Sequence, residues 1–215
     1  MNIKYIPAHV TNYSANRGAK IDRIVIHYTG NNGDTAQDNG KYFAGANRQA
    51  SAHFFVDEQE IVQSVKEGDR AWHAGDKAMN DRSIGIEMCS RKDNAGQYYI
   101  PCSTITRTQG LVCELMTKYN IPVEHVIRHH DVNGKKCPEP FVRQPQQWAD
   151  FKAALVKKEE TTMAKNEPSA WAKEACDWAV KKGIFKGDGN GNYNWQGNVT
   201  REQLAVLLYR LYGKG

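Results

Sequence analysis

IDRIVIHYTG, residues 21–30, is the stretch on which the fold turns. Ile24, Val25 and Ile26 form a short β-branched run, with charged residues before it and a polar Gly/Asn loop after it, which is the pattern of a buried strand. His27 stands at the exit of that strand, a place from which side chains commonly face a site. Outward from it, HFFVDEQEIVQSV (53–65) reads as a hairpin turning over Asp57 to Glu60, and SIGIEMC (83–89) as another short strand. Residues 35–49 look helical. Thr106 and Gln109 form a capping-box pattern ahead of Leu111, Val112, Leu115, Met116 and Tyr119, which predicts an amphipathic helix. Trp148, Phe151 and Leu155 recur at helical spacing after Pro145. Strands interleaved with helices predict an α/β domain over residues 1–157, a mixed central sheet flanked by helices.

The chain has 215 residues, 40% of them hydrophobic, enough for a real core. A net charge of +5 suits an anionic partner such as a wall polymer or a nucleic acid, although mild positive charge more often marks a solvated surface. Basic clusters interleaved with aromatics are missing, so the nucleic-acid reading rests on charge alone. MNIKYIPAHV has neither the basic start nor the apolar core of a secretory signal, and no stretch approaches the roughly 18 apolar residues of a membrane span. Synthesis in the cytoplasm and no membrane partner are therefore expected. Five cysteines in no regular framework fit reduced thiols. Cys89, Cys113 and Cys176 lie among apolar neighbours as small core residues, whereas Cys137 sits in a polar, lysine-flanked segment and needs another reason.

KKEETTMAKNEP (157–168) is charged, small and closed by a proline, and predicts a linker over 158–168. Beyond it, SAWAKEACDWAVKKGIF (169–185) places Trp171, Ala175 and Trp178 on one helical face and stops at Gly183. Thr200 and Gln203 form a second capping-box pattern before Leu204, Leu207, Leu208 and Leu211. The result is a helix-loop-helix domain over 169–215, about fifty residues, small for a core of its own. GDGNGNYNW alternates Asp188, Asn190 and Asn192 like a calcium loop, but an EF-hand needs Gly at its sixth position and Glu at its twelfth, where Tyr193 and Val199 stand. A glycine-rich turn between helices is the better account.

RHHDVNGKKCPEP (128–140) concentrates chemistry. A catalytic zinc ion takes three ligands from His, Cys or carboxylate and leaves one position to solvent. This segment offers one histidine of the pair His129/His130 together with Cys137, and Asn133-Gly134 can form the turn that brings them to one point. The third ligand must come from elsewhere, and His27 is the best placed. A His, His, Cys set suits zinc's borderline softness. The plain alternative is a hydrogen-bonded strand-end histidine and a buried thiol.

IVIHYTG, AHFFVD, AWHAG, SIGIEMC and RHHDVNGKKCP together resemble, in order and approximate spacing, the zinc-dependent N-acetylmuramoyl-L-alanine amidases, the family shared by phage endolysins, bacterial autolysins and peptidoglycan recognition proteins. The resemblance implies His27, His129 and Cys137 as ligands of a Zn2+ ion, with His130 an orienting or surface residue. It implies Glu87 as general base and later proton donor, where the residue alone reads first as an outward-facing edge carboxylate. Lys135 matches the basic residue that steadies the oxyanion, and Lys136 has the weaker claim. Trp72, His73 and His53 are implied as groove residues contacting sugar or peptide, with a packed, hydrogen-bonded histidine the alternative for the latter two. Some relatives carry a catalytic tyrosine where this chain has Ala52, which leaves more of the work to Glu87.

Residues 170–211 resemble one S-layer homology motif, a module that anchors proteins to secondary polymers of Gram-positive walls. Trp171 and Arg201 are the implied ligand contacts, against core packing and a helix-start charge as alternatives. Relatives carry three copies in a three-lobed unit, so a single copy implies homo-oligomerisation through this domain or a weakened anchor. The whole then reads as an endolysin that cuts peptidoglycan between N-acetylmuramic acid and L-alanine and acts on the wall after release. A host autolysin and a noncatalytic peptidoglycan-binding receptor are the alternatives, and Cys137 favours the enzyme.

Overall fold

A computed structural model describes residues 2–188, 191–197, 199 and 201–212, with side chains described except at 157–166, 203 and 210. It divides into two compact units, Met1–Val156 and Lys157–Gly215.

In the first unit the chain forms β1 (Ile3–Tyr5), β2 (Tyr13–Ser14), β3 (Arg23–Tyr28), α1 (Ala36–Gly45), β4 (Phe54–Val56), β5 (Ile61–Gln63), β6 (Arg70–Ala71), α2 (Lys77–Arg82) and β7 (Ser83–Met88). There follow β8 (Arg91–Lys92), β9 (Tyr98–Tyr99), α3 (Cys102–Tyr119), β10 (Val126–Arg128), α4 (His129–Asn133), α5 (Glu139–Arg143) and α6 (Pro145–Asn166). The main sheet has the order β1-β5-β4-β7-β3-β10 and is parallel except for the β4/β5 hairpin. The predicted α/β class, the hairpin over residues 57–60 and the strands at 24–26 and 83–88 are all present.

Alternation along β3 and β7 assigns the two faces of the sheet. Ile24, Ile26, Ile84, Ile86 and Met88 share one core cluster with Phe54, with Leu111, Val112 and Leu115 of α3, and with Phe141, Phe151 and Leu155 of α5 and α6. Residues of the other parity include Val25, His27, Gly85, Glu87 and Phe55, matched across the strands as Val25 with Gly85, His27 with Glu87, and Phe55 with Glu87. Phe55 packs in a smaller cluster with Ala36, Ala52, Val62 and Cys89. One face therefore carries the main core, and the other leaves room for polar side chains beside α1.

One expectation is corrected. The Thr106/Gln109 pattern does not open α3, which begins at Cys102 after Pro101. Thr104 and Thr108 are fully buried, so the packed face extends a turn further toward the N-terminus, and the proline supplies the break. Gln109, inside the helix, donates to the Phe151 carbonyl at 3.4 Å. The stretch expected as a linker is helical through Asn166, in keeping with its Lys, Glu, Ala and Met content. The turn expected at Asn133-Gly134 is present: His129–Asn133 form the short helix α4, and Gly134 then turns the chain at φ +79°.

The second unit contains α7 (Lys173–Lys181) and α8 (Arg201–Tyr212). Gly183, at φ +69°, ends α7, and Ile184 N–H reaches back to the Ala179 carbonyl at 2.9 Å. The Asp188 carboxylate accepts from Asn192 N–H at 3.1 Å and from its side-chain amide at 2.9 Å, so this acid closes the glycine-rich turn. Asn190 and the Thr200–Gln203 capping pattern lie outside the described residues. Among the described residues no helix is long and apolar enough to cross a membrane.

Candidate metal centre

Three adjacent parallel strands end at the same edge of the sheet, and each delivers a functional side chain there. His27 on β3 pairs in register with Glu87 on β7, while Arg128 on β10 pairs with Ile26, so His129 arrives one step later beside His27. The carboxyl ends of parallel strands are where open α/β sheets place ligands. Cys137 returns to the same point through α4 and Gly134. His130 N–H donates to the Cys137 carbonyl at 2.8 Å, Gly134 N–H to the His130 carbonyl at 2.8 Å, and His130 Nδ1 lies 3.0 Å from the Lys135 carbonyl. His130 thus holds the loop.

The ligating atoms of His27, His129 and Cys137 all lie within 4.8 Å of one another. The three residues are 1%, 3% and 4% exposed. Cys137 Sγ is 3.7 Å from His27 Nδ1, and the two imidazole rings are 4.7 Å apart between centroids. Burial, then the neighbouring His73, holds His27 well below the usual histidine range; burial does the same to a lesser degree for His129. Burial, reinforced by Glu87, pushes the Cys137 thiol up to about 12, while the Tyr28 amide and Lys135 act in the opposite direction. His129 Nδ1 is buried with no hydrogen-bond partner among the described residues. Neutral imidazole lone pairs, one of them orphaned, converging with a sulfur form a donor set that fits a borderline-soft divalent cation such as zinc.

Glu87 does not stand on an edge strand, because β7 lies between β4 and β3. Its Oε2 is buried without a hydrogen-bond partner among the described residues, and burial, helped by Asp34 and opposed by Lys135, raises its pKa to about 8. Lys135 is exposed at the loop. Its charge nevertheless reaches Glu87, His27, His129 and Cys137. Beside Glu87 lies a cavity of about 490 Å³ lined by Thr29, Asn31, Asp34, Asn39 and Tyr42 among others. This wall was not legible in the sequence, because the residues of the loop after β3 and of α1 that form it carry no motif.

The residues expected in the groove divide. Trp72 is half-buried, and its indole N–H donates to Ser14 Oγ at 3.1 Å. His53 is fully buried, with Nδ1 accepting from Gly85 N–H at 2.9 Å, so it is the packed, hydrogen-bonded histidine and not a groove wall. His73 contacts the cluster itself, with Nδ1 2.9 Å from His27 Nε2, and burial depresses its pKa to about 3. Ala52 is buried in the smaller core. In the second unit Arg201 is exposed and Trp171 is 89% exposed, so Trp171 is no core residue.

Fold and cluster together define an α/β protein with a three-residue site, fit for a divalent metal, at the carboxyl edge of its sheet. Residues 17–140 match the N-acetylmuramoyl-L-alanine amidase family profile, and residues 164–205 match the S-layer homology domain. The chain belongs to the N-acetylmuramoyl-L-alanine amidase family. It is 32% identical over 167 residues to N-acetylmuramoyl-L-alanine amidase BlyA of Bacillus subtilis (strain 168), covering 69% of this chain and 44% of BlyA. It is 30% identical to CwlH of the same organism, covering 88% of this chain and 70% of CwlH. The catalytic domain of XlyA superposes with a TM-score of 0.63 at 29% identity, covering 72% of this chain and 99% of that domain. The chain spans about half the length of several curated relatives, 44%, 57% and 40% of three of them.

Proposed function

We propose that this chain is a peptidoglycan hydrolase of the endolysin type, cleaving the amide between the lactyl group of N-acetylmuramic acid and the L-alanine of the stem peptide. The observation that carries the reading is the buried His27–His129–Cys137 cluster with Glu87 in register beside it. Zinc held by those three residues would supply Lewis acidity, polarising a carbonyl and lowering the pKa of water.

The chain's own groups provide the rest. A carboxyl with a pKa near 8 is poised for proton transfer: Glu87 takes a proton from the attacking water and returns it to the departing amine of L-alanine. Lys135, whose charge already reaches the cluster, stabilises negative charge developing on the carbonyl oxygen. The cavity beside Glu87 receives the substrate, and Trp72 contacts its sugar or peptide. The unit after Val156, through Trp171 and Arg201, binds an anionic secondary wall polymer and brings copies of the chain together. On this reading the protein is made in the cytoplasm and meets the wall after release.

Purified Gram-positive walls test the proposal. The expected result is loss of turbidity with one new alanine amino group per bond cut, abolished by chelator and restored by zinc. Wall binding without new amino termini would replace the enzyme with a receptor.

A further inference from the structure

One group with access to the cluster plays no part in the proposed chemistry. His73 lies between β6 and α2 and was expected in the substrate groove, yet its ring points at a ligand. Its Nδ1 is 2.9 Å from His27 Nε2, and its Nε2 is 3.2 Å from Ser83 Oγ, which in turn donates to the Met79 carbonyl at 2.6 Å.

For neutral rings the proton positions in this chain follow from its far end. A carbonyl only accepts, so the Ser83 hydroxyl proton is committed to Met79. Ser83 Oγ then accepts from His73 Nε2–H. His73 Nδ1 is left with its lone pair and accepts from His27 Nε2–H. His27 therefore carries its own lone pair on Nδ1, the nitrogen 3.7 Å from Cys137 Sγ. Four polar groups in series fix one tautomer at the nitrogen that faces the cluster.

The surroundings are shaped to hold this chain. The Asn80 side chain accepts from His73 N–H at 3.1 Å and from Ala74 N–H at 2.9 Å, anchoring the backbone on which the ring stands. The ring lies over Gly85 of β7, where a Cβ would fall 2.5 Å from His73 Cγ, so the glycine is what lets the imidazole reach His27. A ligating histidine usually gives its second N–H to a carboxylate, a carbonyl or water. Here a second imidazole takes that place.

We propose that His73, backed by Ser83 and seated on Gly85, is a positioning residue that selects the His27 tautomer able to bind the metal at Nδ1. The inference rests on the metal reading of the cluster.

Two measurements on the full chain test it: zinc affinity by competition with a chromophoric chelator, and the His27 tautomer by 15N NMR of the metal-free protein. His73→Ala is expected to weaken zinc binding by about 10- to 100-fold, the range for lost outer partners of a metal ligand. The same change should let His27 populate both tautomers. His73→Asn, whose side-chain oxygen can accept where Nδ1 did, is expected to recover most of the affinity and the single tautomer. Gly85→Ala should reproduce the loss by displacing the ring. Zinc affinity in His73→Ala equal to that of the unmodified chain, with the His27 tautomer unchanged, would overturn the proposal. A chain that takes up no zinc at all would overturn the metal reading, and the tautomer spectra would still decide the relay.

Discussion

Cys137 and Glu87 lie in one polar cluster, but the proposed chemistry gives them separable duties. Cys137 offers a ligating sulfur, so Cys137→Ser should lower zinc content and activity together. Glu87 moves a proton, so Glu87→Ala should leave zinc bound and slow turnover by about 10²-fold or more. Metal analysis beside kinetics separates the two, and equal metal loss in both variants would break the division. Glu87 also makes a prediction about stability. In the folded, metal-free chain it holds its proton up to about pH 8, whereas its ordinary carboxyl value is 4.5. Between those values the native state binds more protons than the unfolded one, so this group lowers stability as pH rises, by up to about 1.4 kcal/mol per pH unit. Below pH 4.5 the penalty is absent, and above 8 it is complete. The buried histidines act in the opposite sense in acid, but they are common to the chain and its variant and cancel in the difference. Urea denaturation of metal-free Glu87→Gln should therefore show little gain at pH 4.5 and a gain of a few kcal/mol above pH 8.

At the scale of elements, Asp57 couples the β4/β5 hairpin to the start of α1. Its Oδ1 accepts from Gln59 and Glu60 N–H at 2.7 Å each, and its Oδ2 accepts from Ala36 N–H at 2.8 Å, the last also placing a negative charge at a helix N-terminus. Asp57→Ala removes all three acceptors at a buried position and should cost about 3 kcal/mol in chemical denaturation, without displacing zinc. Apolar periodicity exposed much of this architecture, because β3, β7 and the hairpin are runs whose burial depends on their own composition. Element ends were less legible. The Thr106/Gln109 pattern mimicked a cap because buried Thr104 and Thr108 look polar in sequence, and α4 is too short to show a period. Of the candidate site, residue type and position brought out His27, the pair His129/His130 and Cys137, and it was the resemblance to the amidases that implied His129 of the pair. The link from His73 to His27 could not, since it depends on Gly85 lying beneath the ring, a fact of packing with no local signature.

For the molecule as a whole, the two units differ in how they bury apolar surface. Met1–Val156 holds the large clusters on both faces of its sheet. Among the described residues of the second unit, Ala179 is the one buried apolar side chain, while Trp178, Leu204, Leu208, Leu211 and Tyr212 of α7 and α8 are exposed. The leucines of α8 thus stay partly exposed, at 41–48% for Leu204, Leu208 and Leu211, with Leu207 half-buried. So much exposed apolar surface on so small a unit favours association, and in the proposed function a second copy supplies it. Sedimentation equilibrium should then find the full chain self-associating with concentration, whereas a fragment ending at Asn166 stays monomeric. That fragment should still hydrolyse soluble muropeptides, because the cluster and the cavity lie wholly in the first unit. It should fail to sediment with intact walls. A full chain that remains monomeric, together with a fragment that keeps its wall binding, would remove both roles from the second unit and leave recognition of the wall to the catalytic groove alone.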